Sequence, residues 1–140
     1  MKIALSIILV IVAVLVSGCT SAVPSQPAAP VTPTLTGTWT GTMAGYDQGT
    51  GYTDYGNTTM SMVVAEQHGR LFSGTFLYRF NSTVQTVHMA GIIGSDGRTL
   101  AVVEEGNGYT TGEITGDTIQ LSYLDNSLPI SVDIDTLKRV

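Results

Sequence analysis

Residues 35–43 read Leu-Thr-Gly-Thr-Trp-Thr-Gly-Thr-Met, with threonine at every even position and an apolar residue or glycine at every odd one. Successive side chains of a β-strand point to opposite faces, so this alternation predicts a strand with Leu35, Trp39 and Met43 on one face and threonine on the other. A helical spacing of apolar residues fits the stretch badly. The stretch therefore predicts a strand that presents one apolar face to a core.

The same period of two recurs along the rest of the chain. Seven further segments alternate apolar and polar residues: 59–66, 71–80, 84–93, 99–105, 109–115, 118–124 and 130–135. None of the stretches between them has the apolar period of an amphipathic helix. The sequence from residue 35 onward therefore predicts an all-β domain of eight strands.

The connections between most of these segments are short. Four of them contain dipeptides that permit positive φ, as tight hairpin turns require: His68-Gly69, Asp96-Gly97, Asn107-Gly108 and Gly116-Asp117. Short connections force consecutive strands to pair antiparallel. Eight such strands leave no exposed edge when they close into an up-and-down β-barrel, which is the predicted fold, with a β-sandwich as the alternative.

The N-terminal residues are typical of an export signal. Lys2 is followed by an almost unbroken apolar run over residues 3–16, and the run ends in Ser-Gly-Cys. Such a run is shorter than the roughly 20 residues of a stable membrane span. Residues 16–19 resemble the lipobox of prokaryotic lipoproteins, which implies cleavage after residue 18 and attachment of lipid to the sulfur of Cys19.

This resemblance divides the chain into three parts. Residues 1–18 are expected to be a lipoprotein signal peptide, residues 19–34 the lipidated cysteine with a proline-rich linker, and residues 35–140 the barrel domain. Prolines at every third position from 24 to 33 favour extended polyproline II. Fifteen such residues span roughly 45 Å. The alternative is an uncleaved, slightly short anchor, and both interpretations put the domain on the extracytoplasmic face of the cell membrane.

The composition excludes several classes of protein. A chain of 140 residues supports one domain, and its single cysteine excludes an internal disulfide framework and a cysteine-rich zinc site. The formal net charge is −5, and loss of Lys2 with the signal peptide makes it −6. A nucleic-acid partner is therefore not expected.

The first strand carries a second resemblance. Gly37-Thr38-Trp39 resembles the Gly-x-Trp signature of the lipocalin, fatty-acid-binding-protein and avidin superfamily. The resemblance implies a barrel closed at one end by Gly37 and Trp39, with Arg139 stacked on the indole ring as a basic residue near the C-terminus. Avidins line their biotin site with several tryptophans, and this chain has one, so biotin is not predicted. The overall composition also resembles lipoproteins of archaea and bacteria.

The apolar faces of the strands predict the barrel interior. The residues expected there include Trp39, Met60, Met62, Phe72, Phe76 and Tyr123. Methionine adapts to varied apolar shapes, so a methionine-lined barrel is able to accept a small apolar ligand. The alternative is that these side chains simply fill the core. A cavity lined by Met60, Met62, Phe72 and Phe76 would favour the ligand.

One long loop is predicted, over residues 44–57. It carries the binding candidates Tyr46, Asp47, Tyr52, Asp54 and Tyr55 among four glycines. Tyrosine among small polar residues makes adaptable contacts in antibody loops. The loop is interpreted either as a recognition loop over the mouth of the barrel or as a wide loop whose tyrosines cover the rim.

No catalytic or metal constellation is predicted. The two histidines, His68 and His88, are expected in a turn and on a strand, without a ligand set. Asp133 and Asp135 share a face of the last strand, which we expect to be the solvated one, with Ile130, Val132 and Ile134 toward the core. No cofactor is expected.

Two sequons for N-glycosylation are present. They begin at Asn57 and Asn81, each expected at a boundary between strand and loop. The alternative is chance occurrence in a threonine-rich chain.

Together these features predict a membrane-anchored, extracytoplasmic lipoprotein that is not an enzyme. The function expected is binding of a small apolar ligand in the barrel, or of an envelope partner through the tyrosine-rich loop. The alternative is a structural or inhibitory envelope protein without a small ligand.

Overall fold

The computed structural model describes residues 30–80, 83–106 and 108–140, and at residues 57, 58 and 80 it describes the backbone alone. These residues form eight strands: β1 (Gly37–Asp47), β2 (Gly51–His68), β3 (Leu71–Phe80), β4 (Thr83–Ile93), β5 (Thr99–Glu104), β6 (Tyr109–Thr115), β7 (Thr118–Asp125) and β8 (Ser131–Arg139). Within the described ranges, no helix has the length and apolar character needed to cross a bilayer. The signal peptide, Cys19, most of the linker and Asn81 lie outside the described residues.

The eight strands form one closed, antiparallel, up-and-down barrel. Each strand pairs with its neighbours in sequence, and β1 closes the ring by pairing with β8 as well as with β2. Trp39, for example, lies opposite Met62 on β2 and Arg139 on β8. The predicted fold class is confirmed, and the alternative of a sandwich of two sheets is wrong.

The predicted long loop over residues 44–57 is wrong, because most of it is strand. Tyr46 on β1 pairs with Tyr52 on β2, and only residues 48–50 form the turn. The register between β1 and β2 shifts opposite Met43, since Thr42 pairs with Thr59 and Ala44 with Asp54, so the extra residues lie in β2, whereas the pairing of β1 with β8 is continuous. These extra residues and the glycine-rich composition conceal the period of two in the sequence. Asn57 accordingly lies inside β2 rather than at a boundary between strand and loop.

The two ends of the barrel differ in their filling. At the end where β1 begins, which we call the closed end, the interior is packed with apolar side chains that are almost wholly buried: Leu35, Trp39, Met62, Val64, Ile93, Leu100, Ile119 and Leu137. Met60, Phe76, Met89, Val102 and Leu121 continue this core toward the middle. At the other end, the open end, the interior lining becomes polar.

The closed end is sealed by the chain that leads into β1. The Trp39 indole Nε1 donates a hydrogen bond of 2.8 Å to the Leu35 carbonyl oxygen. Gln67 holds the same segment, since its Nε2 donates to the Pro33 carbonyl at 2.9 Å and its Oε1 accepts from the Leu35 amide at 2.7 Å. The Arg139 guanidinium lies 4.1 Å from the centre of the Trp39 ring and donates to the carbonyls of Thr34 and Thr36. This is the arrangement that the superfamily resemblance implied.

The orientation predicted for the last strand is wrong. Val132 and Ile134 on β8 are exposed on the outer surface, whereas Asp135 is 2% exposed and points into the barrel together with Asp133. Leu137 explains the inversion, because it is fully buried in the core of the closed end. Residues two apart on a strand share a face, so an inward Leu137 turns both aspartates inward.

Candidate functional site

A cavity of about 410 Å³ occupies the open end of the barrel. Its lining side chains come from the open-end portions of seven strands, all but β6, and from the turn after β5. They are Met43, Asp47, Tyr55, Tyr78, Gln85, Val87, Glu104, Glu105, Tyr123, Asp125, Ser131, Asp133 and Asp135. A volume of this size is within the usual range for small-molecule sites.

The lining of this cavity is strongly acidic. Six carboxylates contribute to it: Asp47, Glu104, Glu105, Asp125, Asp133 and Asp135. Among the described residues, none of its lining side chains is lysine, arginine or histidine. A concave site lined by one sign of charge concentrates its electrostatic potential, and here that potential attracts cations.

The charges of the barrel are separated between its two ends. The open half carries seven acidic residues and one basic residue, Arg79. The closed half carries four acidic residues against Arg70, Arg98, Lys138 and Arg139. The formal charge of −6 over residues 30–140 therefore falls on the open half, where the cavity opens.

The two deepest carboxylates are only partly compensated, since Ser131 donates a hydrogen bond to the Asp133 carboxylate but one oxygen of each aspartate has no partner among the described residues. The Oδ1 atoms of Asp133 and Asp135 are buried without a hydrogen-bond partner among the described residues. Burial, together with the nearby negative charges of Asp133 and Glu104, raises the pKa of Asp135 to about 7. Burial likewise raises the pKa of Asp133 to about 6, with Asp47 contributing. Both groups therefore hold their protons more tightly than an ordinary aspartate does.

Glu104 stands on the β5 wall and is better satisfied. Its Oε1 accepts a hydrogen bond of 2.6 Å from the buried Thr110 hydroxyl, and its Oε2 accepts one of 3.2 Å from the Tyr78 hydroxyl. Burial raises the pKa of Glu104, while these two hydrogen bonds oppose the rise. Burial and the charge of Glu104 raise the pKa of Tyr78, so its hydroxyl stays protonated and remains a donor.

Two more tyrosines pair with rim carboxylates. The Tyr55 hydroxyl donates to Asp47 Oδ2 at 2.5 Å, and the Tyr123 hydroxyl donates to Asp125 Oδ2 at 3.3 Å. Burial raises the pKa of Tyr55 to about 12, and Asp47 adds to the rise. Burial also raises the pKa of Tyr123, with Asp125 contributing. The cavity therefore combines ionisable carboxylates with neutral aromatic rings.

The interior residues predicted from sequence divide between core and cavity. Met60, Met62, Phe72 and Phe76 lie in the barrel interior as expected, but they belong to the packed core and line no part of the cavity, which agrees with the alternative that they fill the core. Tyr123 does line the cavity. The apolar contribution to its wall comes instead from Met43 and Val87.

The predicted binding-loop residues also divide. Asp47 and Tyr55 line the cavity, whereas Tyr46 and Tyr52 are exposed on the outer surface. Asp54 is exposed and contributes nothing to the cavity. The structure thus assigns only two of the five residues to the mouth of the barrel.

Sequence reasoning missed the acidic lining of the open end. One signal was available, because Asp133 and Asp135 share strand parity with Leu137, the apolar residue nearest the end of β8. A second was the position of Asp47, Glu104 and Asp125, each the last residue of its strand. In an up-and-down barrel, β1, β5 and β7 run in the same direction, so their last residues meet at one end.

The histidines contribute no site. His68 Nε2 lies 2.8 Å from Glu66 Oε1 at the surface of the closed end, and His88 is exposed on β4. Across the described ranges, no group of three or more histidine, cysteine, aspartate and glutamate residues is arranged to hold a metal ion.

A second concavity, of about 370 Å³, lies on the outer surface across β1, β2, β7 and β8. We call it the outer groove, and its exposed apolar side chains are Tyr46, Tyr52, Leu124, Val132 and Ile134. Large contiguous apolar patches are unusual on a soluble surface and often mark interaction sites.

Comparison with known proteins adds a similarity of shape. A solved structure of the possum milk whey lipocalin trichosurin, at pH 4.6 with bound 4-ethylphenol, resembles this chain with a TM-score of 0.48 and 13% sequence identity over 75% of each chain. No protein-family model matches the sequence, and no curated protein matches it significantly. Nothing about a ligand of this chain follows from the similarity.

Proposed function

We propose that this protein is an extracytoplasmic, membrane-anchored binding protein that holds a small molecule in the cavity at the open end of its barrel. The observation that carries the proposal is the difference between the two ends. Apolar side chains fill the closed end, whereas the open end retains about 410 Å³ bounded by polar groups. A structural barrel has no need for a concave interior with uncompensated carboxylates, since such groups destabilise the fold.

The ligand envisaged is small and partly apolar. Met43 and Val87 supply apolar contact, and the rings of Tyr55, Tyr78 and Tyr123 supply flat surfaces. Sites of this kind combine apolar walls with a few polar groups that orient the ligand. The sequence led us to expect a purely apolar ligand, whereas the cavity wall favours a ligand that also has a polar part.

A cavity-filling variant tests this function. Val87 is half-buried on β4 and lines the cavity, so Val87→Trp fills part of the space. Val103 on β5 is 59% exposed on the outer surface, and Val103→Trp adds the same bulk outside the barrel. We expect full-length protein purified from its own membranes to carry a small molecule, detected by native mass spectrometry, that Val87→Trp lacks and Val103→Trp retains. Equal occupancy in both folded variants would contradict the proposal.

The anchoring part of the proposal rests on the N-terminal sequence. Lipid on Cys19 and an extended linker of roughly 45 Å hold the barrel at the membrane surface. The chain enters the barrel at the closed end, where Pro33 and Leu35 are fixed by Gln67. The open end is therefore free to face away from the attachment point.

Substitution of the cysteine tests the anchor. We expect the wild-type protein to partition into the detergent phase and to incorporate labelled fatty acid. Cys19→Ser should remove the label and block the processing that depends on lipid attachment. A labelled Cys19→Ser protein, or an unlabelled wild type, would refute lipid attachment at this residue.

The outer groove favours a second candidate function, docking of an envelope protein. Tyr52 is 71% exposed there beside Val132 and Ile134, which are also exposed. A photo-crosslinking amino acid at Tyr52 should capture one specific protein in intact cells. The same group at Tyr109, an exposed tyrosine on β6 outside the outer groove, serves as the control. Equal yields at both positions would speak against a docking site.

A further inference from the structure

We propose that the ligand of the open-end cavity is a small organic cation, an amine whose ammonium group is held by Asp133 and Asp135 and whose carbon skeleton contacts the tyrosine rings. This inference rests on the proposed function, because it names the chemical class of ligand for the same cavity. It is carried by the charge of the wall, by two unpartnered carboxylate oxygens and by the aromatic surface around them.

The first observation is the sign of the charge. Six carboxylates line the cavity, and no described lining residue carries a positive charge to neutralise them. The open half of the barrel also bears the whole formal charge of −6. An anionic ligand would be repelled at the mouth, and a neutral ligand would leave the carboxylates uncompensated. A cation is the class of ligand whose binding lowers the electrostatic energy of this wall.

The second observation concerns hydrogen bonding at the base of the cavity. Asp135 is 98% buried, and its Oδ1 atom has no hydrogen-bond partner among the described residues. The Oδ1 atom of Asp133 also lacks a partner among the described residues, but it packs against Gly45 on β1, so Asp133 contributes its negative charge to the cavity wall. Buried polar atoms are nearly always paired, so each unpaired one calls for an explanation. An ammonium group beside Asp135, which donates up to three hydrogen bonds, would supply the partner that this carboxylate lacks.

The third observation distinguishes an organic cation from a metal ion. Among the described residues, no cluster of carboxylates and histidines is arranged for metal coordination. The cavity of about 410 Å³ is far larger than one ion needs, and three tyrosines line it. Aromatic faces attract ammonium ions through the charge distribution of the ring. The tyrosine hydroxyls are directed to Asp47, Glu104 and Asp125, which leaves the rings as the contact surface.

Other residues of the cavity wall explain why a cation with a hydrocarbon part would be preferred. Glu104 is already satisfied by Thr110 and Tyr78, so it contributes negative potential more than a direct contact. Met43 and Val87 add apolar surface that a hydrated inorganic ion does not use. The site therefore favours a cation that carries a hydrocarbon part.

Isothermal titration calorimetry of the full-length protein at pH 8 tests the inference. The probes are 2-phenylethylamine, putrescine and choline as organic cations, 2-phenylethanol as the neutral analogue of the first, and calcium chloride as the inorganic cation. The variants are Asp135→Asn in the cavity and Asp54→Asn on the outer surface at the same end, which changes the net charge equally. The comparison of amine with alcohol uses the wild type, so it does not depend on any variant folding.

We expect at least one organic cation to bind, and to bind at least tenfold more tightly than 2-phenylethanol and calcium. Asp135→Asn should weaken that binding at least tenfold, whereas Asp54→Asn should change it less than twofold. Equal binding of 2-phenylethanol and 2-phenylethylamine would overturn the cationic class while leaving small-molecule binding intact. Preference for calcium, or no binding of any cation, would also overturn it. The cavity-filling comparison of Val87→Trp with Val103→Trp judges the proposed function separately, because it requires no chosen probe.

Discussion

Asp133 and Asp135 stand two residues apart on β8 in the wall of the open-end cavity, and each has one buried carboxylate oxygen without a hydrogen-bond partner among the described residues. Burying an uncompensated carboxylate costs free energy, and the protein reduces that cost by holding the proton more tightly. The pair therefore weakens the fold at neutral pH in the ligand-free protein. Groups that destabilise the fold in this way are characteristic of functional sites.

Asp135→Asn should make the ligand-free protein more stable at pH 8. The pKa of Asp135 is raised by burial to about 7, so the folded state binds its proton where the unfolded state does not. Stability is then greatest at low pH and falls as the pH rises from about 4 to about 7. Asparagine has no charge to desolvate, and we expect a gain on the order of 2 kcal/mol at pH 8 and a clearly smaller gain at pH 5. Urea denaturation at both pH values measures the difference.

The surroundings of Asp135 define the control for that measurement. Asp133 on its own strand, Glu104 on β5 and Tyr78 on β3 interact with it electrostatically, and Tyr123 on β7 lines the same cavity. Glu113 on β6 is exposed outside the cavity, so Glu113→Gln removes a charge without relieving burial. A gain in Asp135→Asn that is equal at pH 5 and pH 8 would show that desolvation of the carboxylate is not its cause.

Binding of an amine should strengthen as the pH rises from 5 to 8. The ammonium group of a simple amine stays protonated over this range, as that of lysine does. The carboxylates do change, since burial raises the pKa values of Asp133 and Asp135 to about 6 and about 7. Glu104, Tyr78 and Tyr123 face the same space, and burial raises the pKa of each. We expect at least a tenfold gain in affinity, with release of protons on binding near pH 6.

Calorimetry in two buffers of different ionisation enthalpy counts the released protons. Asp135→Asn should release fewer of them and should show a shallower dependence on pH. An affinity for 2-phenylethylamine that is constant between pH 5 and pH 8 would mean that these carboxylates do not hold the ammonium group.

The sequence predicted the architecture well because one physical pattern determines it. The alternation of residues around Trp39 and Met43 correctly predicted that both side chains lie inside the barrel, and seven further alternating segments predicted the remaining strands. Alternation defines two faces without saying which one is inward. On β8 the apolar Val132 and Ile134 suggested the wrong face, because Leu137 and the pairing with β1 decide the orientation. The acidic site was missed for that reason.

The prediction of a long loop over the tyrosine-rich residues 44–57 was wrong for a different reason. The strand pairing of these residues, such as Tyr46 with Tyr52, depends on contacts between two chain segments across a three-residue turn. The extra residues of β2 between Asp54 and Thr59 change which of its side chains face inward, and no local pattern in the sequence indicates this change. The assignment of Tyr55 to the cavity and of Tyr52 to the outer surface therefore required the three-dimensional structure.

Loss of the Arg139 side chain should destabilise the closed end. Its guanidinium stacks on Trp39 at 4.1 Å and donates to the carbonyls of Thr34 and Thr36. We expect Arg139→Ala to lower the free energy of unfolding by about 1–2 kcal/mol, from the lost cation–π contact and hydrogen bonds. Trp39→Ala, which empties a wholly buried site, should cost about 3–5 kcal/mol.

Arg139→Lys provides the matched comparison. Lysine keeps the charge but cannot stack as a plane or donate to two carbonyls in a fork. We expect it to recover less than half of the stability lost in Arg139→Ala, as measured by urea denaturation. Full recovery would indicate that charge alone, and not the geometry over Trp39, stabilises this end.

Two glycines on β1 should respond differently to a methyl group at the seam with β8. A Cβ atom at Gly41 would lie 1.8 Å from the Thr136 carbonyl oxygen, so Gly41→Ala must separate the two strands. A Cβ atom at Gly45 would lie 1.6 Å from Asp133 Oδ1 and 2.8 Å from the Val132 carbonyl oxygen, so the carboxylate would be the first group to move. We expect losses on the order of 3 kcal/mol for Gly41→Ala and about 1 kcal/mol for Gly45→Ala.

Amine affinity should fall more in Gly45→Ala than in Gly41→Ala, which is the reverse of the order expected for stability. Gly45→Ala displaces the Asp133 carboxylate without changing any charge, so it should weaken amine binding measurably in a protein that remains folded. Gly41 lies beside Leu137 in the β1–β8 ladder, on the core side of the cavity. Gly41→Ala should therefore lower stability without a specific loss of affinity at a temperature where it stays folded. Unchanged amine affinity in Gly45→Ala would show that the position of the Asp133 carboxylate against β1 is not what orients the ammonium group.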